Sequence, residues 1–131
     1  MRIEHWEDQL YAYIEASKDL QFVWGQNDCS LWAAKWLDIV NGSNIVVDWL
    51  GLNGDEEGAT ALMAERGFAN CEAVADSLFA AKHIRMASRG DMVLHQSGAL
   101  GICDGRRSYF LTPDSGLGAV LTTTCRKAWA V

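Results

Sequence analysis

The chain is poor in basic residues, with eleven Lys and Arg against seventeen Asp and Glu and a net charge of −6. That balance argues against tracking along nucleic acid, which needs clustered cations facing the phosphates. Arg106-Arg107 and Arg126-Lys127 are the only basic pairs, and they fit solvated turn or edge positions. Proline occurs once and no Gly/Ser-rich stretch or repeat is visible, so nothing marks a linker or a second domain. No Cys-x-x-Cys pair exists, which removes most support for a zinc site or a redox dithiol. The start, Met1 to Trp6, lacks the apolar run of a signal peptide, and no segment reaches the apolar length of a membrane span. The sequence therefore predicts a protein that stays in the cytosol where it is made, or leaves by a route needing no signal.

What is present is apolar. Half of the 131 residues are hydrophobic and six are Trp, enough for one domain over 1–131 with a substantial core. Cys29, Cys71, Cys103 and Cys125 are widely spaced and are expected as free thiols, the last three as small buried hydrophobes. Residues 4–17 carry Trp6, Leu10, Tyr13 and Ile14 at helical spacing. A second helix is predicted from Cys29 to Val40, capped by Asn27 or Asp28 and stopped at Asn41-Gly42; its near-continuous apolar surface predicts burial on most sides. Residues 44–54 carry no secure assignment. Helices follow over 55–66 and 71–81, the latter capped by Asn70.

From Ser88 the pattern changes to short strands. They are predicted after Arg89-Gly90-Asp91, at 99–103, 108–111, 118–123 and 127–131, with Asp104-Gly105 as a hairpin turn. Gly90-Asp91 is taken as a strand-entry turn, Trp129 as core, and one of Tyr109 and Phe110 as facing out. Helices first and an antiparallel meander of about five strands afterwards predict an α+β domain with helices on one side of the sheet.

The segment Trp24-Gly25-Gln26-Asn27-Asp28-Cys29-Ser30 is where chemistry concentrates. A Gly turn and two Asx residues deliver a cysteine to a helix start, where amide dipoles lower a thiol pKa. Cys29 is the candidate nucleophile, Asp28 the helix cap that orients it, and Trp24 packs beneath the turn. Amide hydrolysis also needs an imidazole to pair with the thiol and protonate the leaving amine. The chain offers His5, expected on the first helix, His83 in a connection, and His95 near the end of the first sheet strand; of these His95 is the candidate base.

Asp28-Cys29-Ser30, Gly90-Asp91 and Ala99-Leu100-Gly101-Ile102 resemble, in order, the motifs of the papain-like NlpC-type cysteine peptidases. In that alignment Ala99 occupies the slot of the catalytic His, and Leu31 stands where a Gly is usual. Phe22 to Cys29, Gly90-Asp91, Ala99 to Gly105 and the closing Ala128-Trp129-Ala130-Val131 resemble more closely a small NlpC-like group encoded among phage tail genes, in which that Ala is the ordinary residue. The resemblance implies a papain-like fold, with Cys29 as candidate nucleophile and Trp24 and Ala99 as candidate binding residues. It also implies a phage tail-tip or baseplate protein acting in virion assembly, with other tail proteins as partners and the virion as its destination. The alternative it implies is an active cysteine peptidase or amidase on peptidoglycan stem peptides, with the amide of Cys29 or Ser30 as oxyanion donor. No cofactor or metal is expected. A third possibility is a metal or iron–sulfur site in which Cys29 and Cys103 approach each other.

Overall fold

The computed structural model describes residues 2–131. The architecture is α+β, with four helices and a six-stranded antiparallel sheet. The helices are α1 (Trp6–Ala16), α2 (Leu31–Asn41), α3 (Glu56–Glu65) and α4 (Cys71–Leu78). The strands are β1 (Ala81–Lys82), β2 (Met92–Leu94), β3 (Leu100–Asp104), β4 (Arg107–Thr112), β5 (Gly116–Leu121) and β6 (Lys127–Trp129), in the sheet order β1-β6-β2-β3-β4-β5.

Two features depart from the predicted five-strand meander. Strands β2 to β5 do form one, but β6 then returns to the far side of β2, pairing Trp129 with Met92. Its outer edge is covered by β1, a two-residue strand pairing Ala81 with Trp129. The alanine-rich run predicted as helix to residue 81 ends at Leu78, and extended backbone after it supplies β1. His5 does not lie on α1 but precedes it, in a left-handed conformation with φ 59°. The unassigned 44–54 segment holds a 3-10 turn, Val46–Asp48. Asp38 on α2 fixes its start, accepting from the Ile45 and Val46 amides at 2.8 and 3.0 Å.

Strand alternation divides the apolar residues between the two sheet faces. Met92, Leu94, Leu100, Ile102, Leu111 and Trp129 face the helices and pack with Leu10, Trp32, Trp36 and Leu37. Val93, Cys103, Phe110, Cys125 and Ala128 form a smaller cluster on the opposite face, with Ile84 and Ala87 packed against it. Both faces are therefore covered. Neither member of the Tyr109-Phe110 pair is left facing solvent: Tyr109 packs on the helix side and Phe110 is buried on the other.

The three fully buried tryptophans each satisfy their indole N–H, as burial requires. Trp32 donates to Ser17 Oγ, Trp36 to the Gly90 carbonyl and Trp129 to Asp76, each at 2.9 Å. The Trp36 bond gives Gly90-Asp91 more than a turn's role. Gly90 has φ 89°, and a Cβ there would meet Arg2 Nη1 at 2.9 Å and Trp6 Cζ3 at 3.0 Å. Next to it, Asp91 is buried and ion-paired to Arg2 at 2.9 Å and to Lys82, and accepts from the Ser88 amide at 2.8 Å. Arg2 also donates to the Val131 carbonyl at 2.8 Å. One carboxylate thus joins both ends of the described chain to the centre of the sheet.

Candidate functional site

The segment before α2 folds back on itself through a bridge between Val23 and Asn27. Gly25, at its tip, has φ 78°, and a Cβ there would lie 2.1 Å from the Asn53 carbonyl oxygen, so the turn admits only glycine without displacing the 44–54 segment. The same segment is bonded back to the turn, Gly51 N–H donating to the Gly25 carbonyl at 2.7 Å.

Asp28 organises the helix start. It is buried, and its carboxylate accepts from the amides of Gly25 (3.0 Å), Ser30 (3.1 Å) and Leu31 (2.9 Å) and from the Ser30 hydroxyl (3.1 Å). The helix begins at Leu31 and not at Cys29, which lies in the turn before it. The Cys29 carbonyl accepts from the Leu100 amide at 2.8 Å, fastening the cysteine to the start of β3 beside Ala99.

These elements wall a cavity of about 500 Å³. Trp24, Asp28, Cys29 and Ala99 all line it, with α3, α4 and the 44–54 segment closing the other side through residues such as Trp49, Met63 and Cys71. Trp24 packs edge-on against Phe22 with ring centroids 4.9 Å apart. Sequence reasoning missed Cys71. It stands at the first position of α4, far from Cys29 in sequence, yet both thiols face the same cavity, and Cys71 Sγ lies 3.9 Å from Met63 Sδ. The helix-start position after Asn70 was the only signal for it, and spacing alone does not reveal which helix starts converge.

The structure does not bring His95 to this site. It follows β2 on the face away from the helices, its ring edge-on to Phe110 at 5.1 Å, with Nδ1 engaged by the Ser97 amide and hydroxyl at 3.0 and 2.9 Å. His5 is exposed before α1, and His83 Nδ1 accepts from the Arg85 amide at 3.1 Å. Among the described residues no histidine lines the cavity. Cys103 also lies apart from Cys29, in the opposite-face cluster. Among the described residues no group of three or more His, Cys, Asp or Glu side chains could hold a metal ion.

The thiol's environment runs against the expected activation. Burial pushes the Cys29 thiol up to about 12, with negative charge at Cys71, Asp28 and Glu56 acting in the same direction and its own backbone N–H opposing them. A helix N-terminus lowers a thiol pKa through unpaired amides. Here the Ser30 and Leu31 amides already serve Asp28, so the dipole is neutralised before it reaches the sulfur. The Ser30 amide is for the same reason not free as an oxyanion donor, which leaves only that of Cys29. Burial raises the Cys71 thiol as well, with the nearby Ser30 side chain acting in the opposite direction.

A family model described as a domain of unknown function, DUF6950, matches residues 1–131. The chain belongs to that family. No curated protein and no solved structure matches it. Among the described residues, no helix is long and apolar enough to cross a membrane.

Proposed function

We propose that this DUF6950 domain is a papain-like fold of the NlpC type that works by binding, as a structural component of a phage tail tip or baseplate during virion assembly. The observation that carries the reading is the composition of the cavity: Cys29 and Ala99 both line it, Ala99 being the residue that the sequence resemblance aligns with the catalytic His, and among the described residues no imidazole lines it. A neutral thiol with no partner base lacks both the nucleophile and the proton donor of amide hydrolysis. Three features support the NlpC assignment. The helices precede the sheet, Asp28-Cys29-Ser30 leads into α2, and Gly90-Asp91 opens the strand beside the one that Ala99 precedes.

The direct test is to ask whether the protein is present in purified mature phage particles and co-purifies with tail-hub proteins. Absence from both overturns the assembly reading. Digestion of muropeptides by wild type and by Cys29→Ala tests the catalytic side. Equal, background turnover is expected; cleavage lost in Cys29→Ala would establish a cysteine peptidase or amidase acting on stem peptides instead.

A further inference from the structure

The two edges of the sheet are unequal. On one side the sheet ends at β1, which has only two residues, one of them Lys82. Shortness and lysine both keep a sheet edge from pairing with a further strand. On the other side it ends at β5, Gly116-Leu117-Gly118-Ala119-Val120-Leu121, six residues with no charge and no proline. These pair one-to-one with β4, so no bulge twists the edge away.

The ladder shows which backbone groups this edge presents. The Thr122 N–H donates to the Arg106 carbonyl at 2.8 Å, so the next pair, Arg107 and Leu121, exchanges no hydrogen bonds. Alternation then makes Ser108–Val120 and Phe110–Gly118 the bonded pairs. Leu117, Ala119 and Leu121 aim their N–H and C=O groups outward, away from β4. Among the described residues, the three N–H groups and the carbonyls of Leu117 and Ala119 have no partner, while the Leu121 carbonyl accepts from the Thr124 hydroxyl at 2.6 Å. Ala119 and Leu121 are exposed, so this stretch of edge is open to solvent.

Charge says which strand such an edge fits. Asp114 lies in the turn before β5, and Arg106-Arg107 lie beside its far end. All three are exposed and, among the described residues, none is in an ion pair. An edge with ends of opposite sign is complementary to itself when two copies run antiparallel, because each acidic end meets the other's basic end. We propose that β5 pairs with β5 of a second copy of this chain, antiparallel about a two-fold axis at Ala119, so that one sheet runs through both copies. Ala119 of one copy then faces Ala119 of the other, and Leu117 of each faces Leu121 of the other. Each of these pairs exchanges both N–H···O bonds and sets apolar side chains side by side. The net charge of −6 on each copy opposes association, and physiological salt screens that repulsion beyond about 8 Å.

The test is sedimentation velocity of the full chain from about 1 to 200 μM at physiological salt, a range suited to the micromolar affinity of a small interface. The wild type is expected to pass reversibly from monomer to dimer across that range. Ala119→Lys and Ala119→Glu each set two like charges roughly 5 Å apart on the axis, and each alone is expected to weaken the dimer at least tenfold. Ala119 is exposed, so both variants are expected to fold, as thermal melts check. An equal mixture of the two sets Lys against Glu and is expected to restore association to within several-fold of wild type. A wild type that stays monomeric at the highest concentration overturns the proposal and leaves the edge to a strand of a different protein. A dimer that both charged variants keep also overturns it, since the copies then meet through another surface. So does a mixture that fails to associate, because the two-fold at Ala119 requires that Lys and Glu meet. None of these results depends on whether the protein enters phage particles, so the proposal and the assembly reading fail separately.

Discussion

Asp28 and Asp91 are both buried aspartates of the motifs that carry the family resemblance, and they hold the molecule in opposite ways. Every partner of Asp28 lies within three residues, and each is a neutral amide or hydroxyl of its own turn. The partners of Asp91 include two cations, and they come from the start of the chain, from β1 and from the turn before β2. Asp28 therefore shapes one loop, whereas Asp91 fixes the relation of distant segments. Neither role needs a reaction. The same two motifs would look catalytic in a list of sequence matches, yet here each carboxylate is fully occupied by architecture.

The comparison breaks most sharply at Asp91. Asp91→Ala leaves Arg2 and Lys82 without their counter-charge in partly buried positions, and removing one partner of such a cluster costs about 3 kcal/mol or more. Urea denaturation is expected to show a loss of that size. A loss under about 1 kcal/mol would mean that the cations find solvent readily and that the junction is no more than a surface pair.

Asp28→Ala is expected to cost less, about 2 kcal/mol, as the loss of a buried helix-start cap with several local bonds. Asp28→Asn keeps one acceptor oxygen and should recover roughly half of that. The sharper readout is chemical. Asp28→Asn also removes the negative charge that pushes the Cys29 thiol up, so that thiol should react faster with iodoacetamide at pH 8 in Asp28→Asn than in wild type. An unchanged rate would show that burial alone, without the Asp28 charge, keeps this thiol protonated.

These contrasts mark what was legible in the sequence. Helix existence was readable from periodicity and from Asp28, Asn70 and Gly42, because caps and stops act within a few residues. Strands β2 to β5 were readable from alternation and the Asp104-Gly105 turn. Strand β6 returning to β2 was not, since which strand Trp129 joins depends on the shape of the whole sheet. At the site, Trp24, Asp28, Cys29 and Ala99 line one cavity, and the sequence signals for Asp28 and Cys29 were local, a cap and a helix start. His95 was misplaced because alternation assigns it to the face of Val93, and proximity in sequence to Ala99 does not change that face. Cys71 was missed because the convergence of α2 and α4 is tertiary.

The smallest effect concerns Cys29 itself. Cys29→Ala should change stability by less than about 1 kcal/mol at pH 7, because the change is near-isosteric and its wall is already apolar. The pH dependence separates a buried neutral thiol from a poised thiolate. The folded value of about 12 lies above the ordinary value of 9.0, so the unfolded chain gives up this proton first as pH rises. Stability from the neutral thiol is therefore fully present below pH 9 and is lost as pH climbs from 9 toward 12. Cys71 and Cys125 shift the same way, so the difference between wild type and Cys29→Ala isolates this residue. That difference should stay flat from pH 6 to 9 and then turn against the wild type. If it instead changes below pH 9 in favour of the wild type, the folded state holds a thiolate, and Cys29 is activated in spite of having no imidazole beside it.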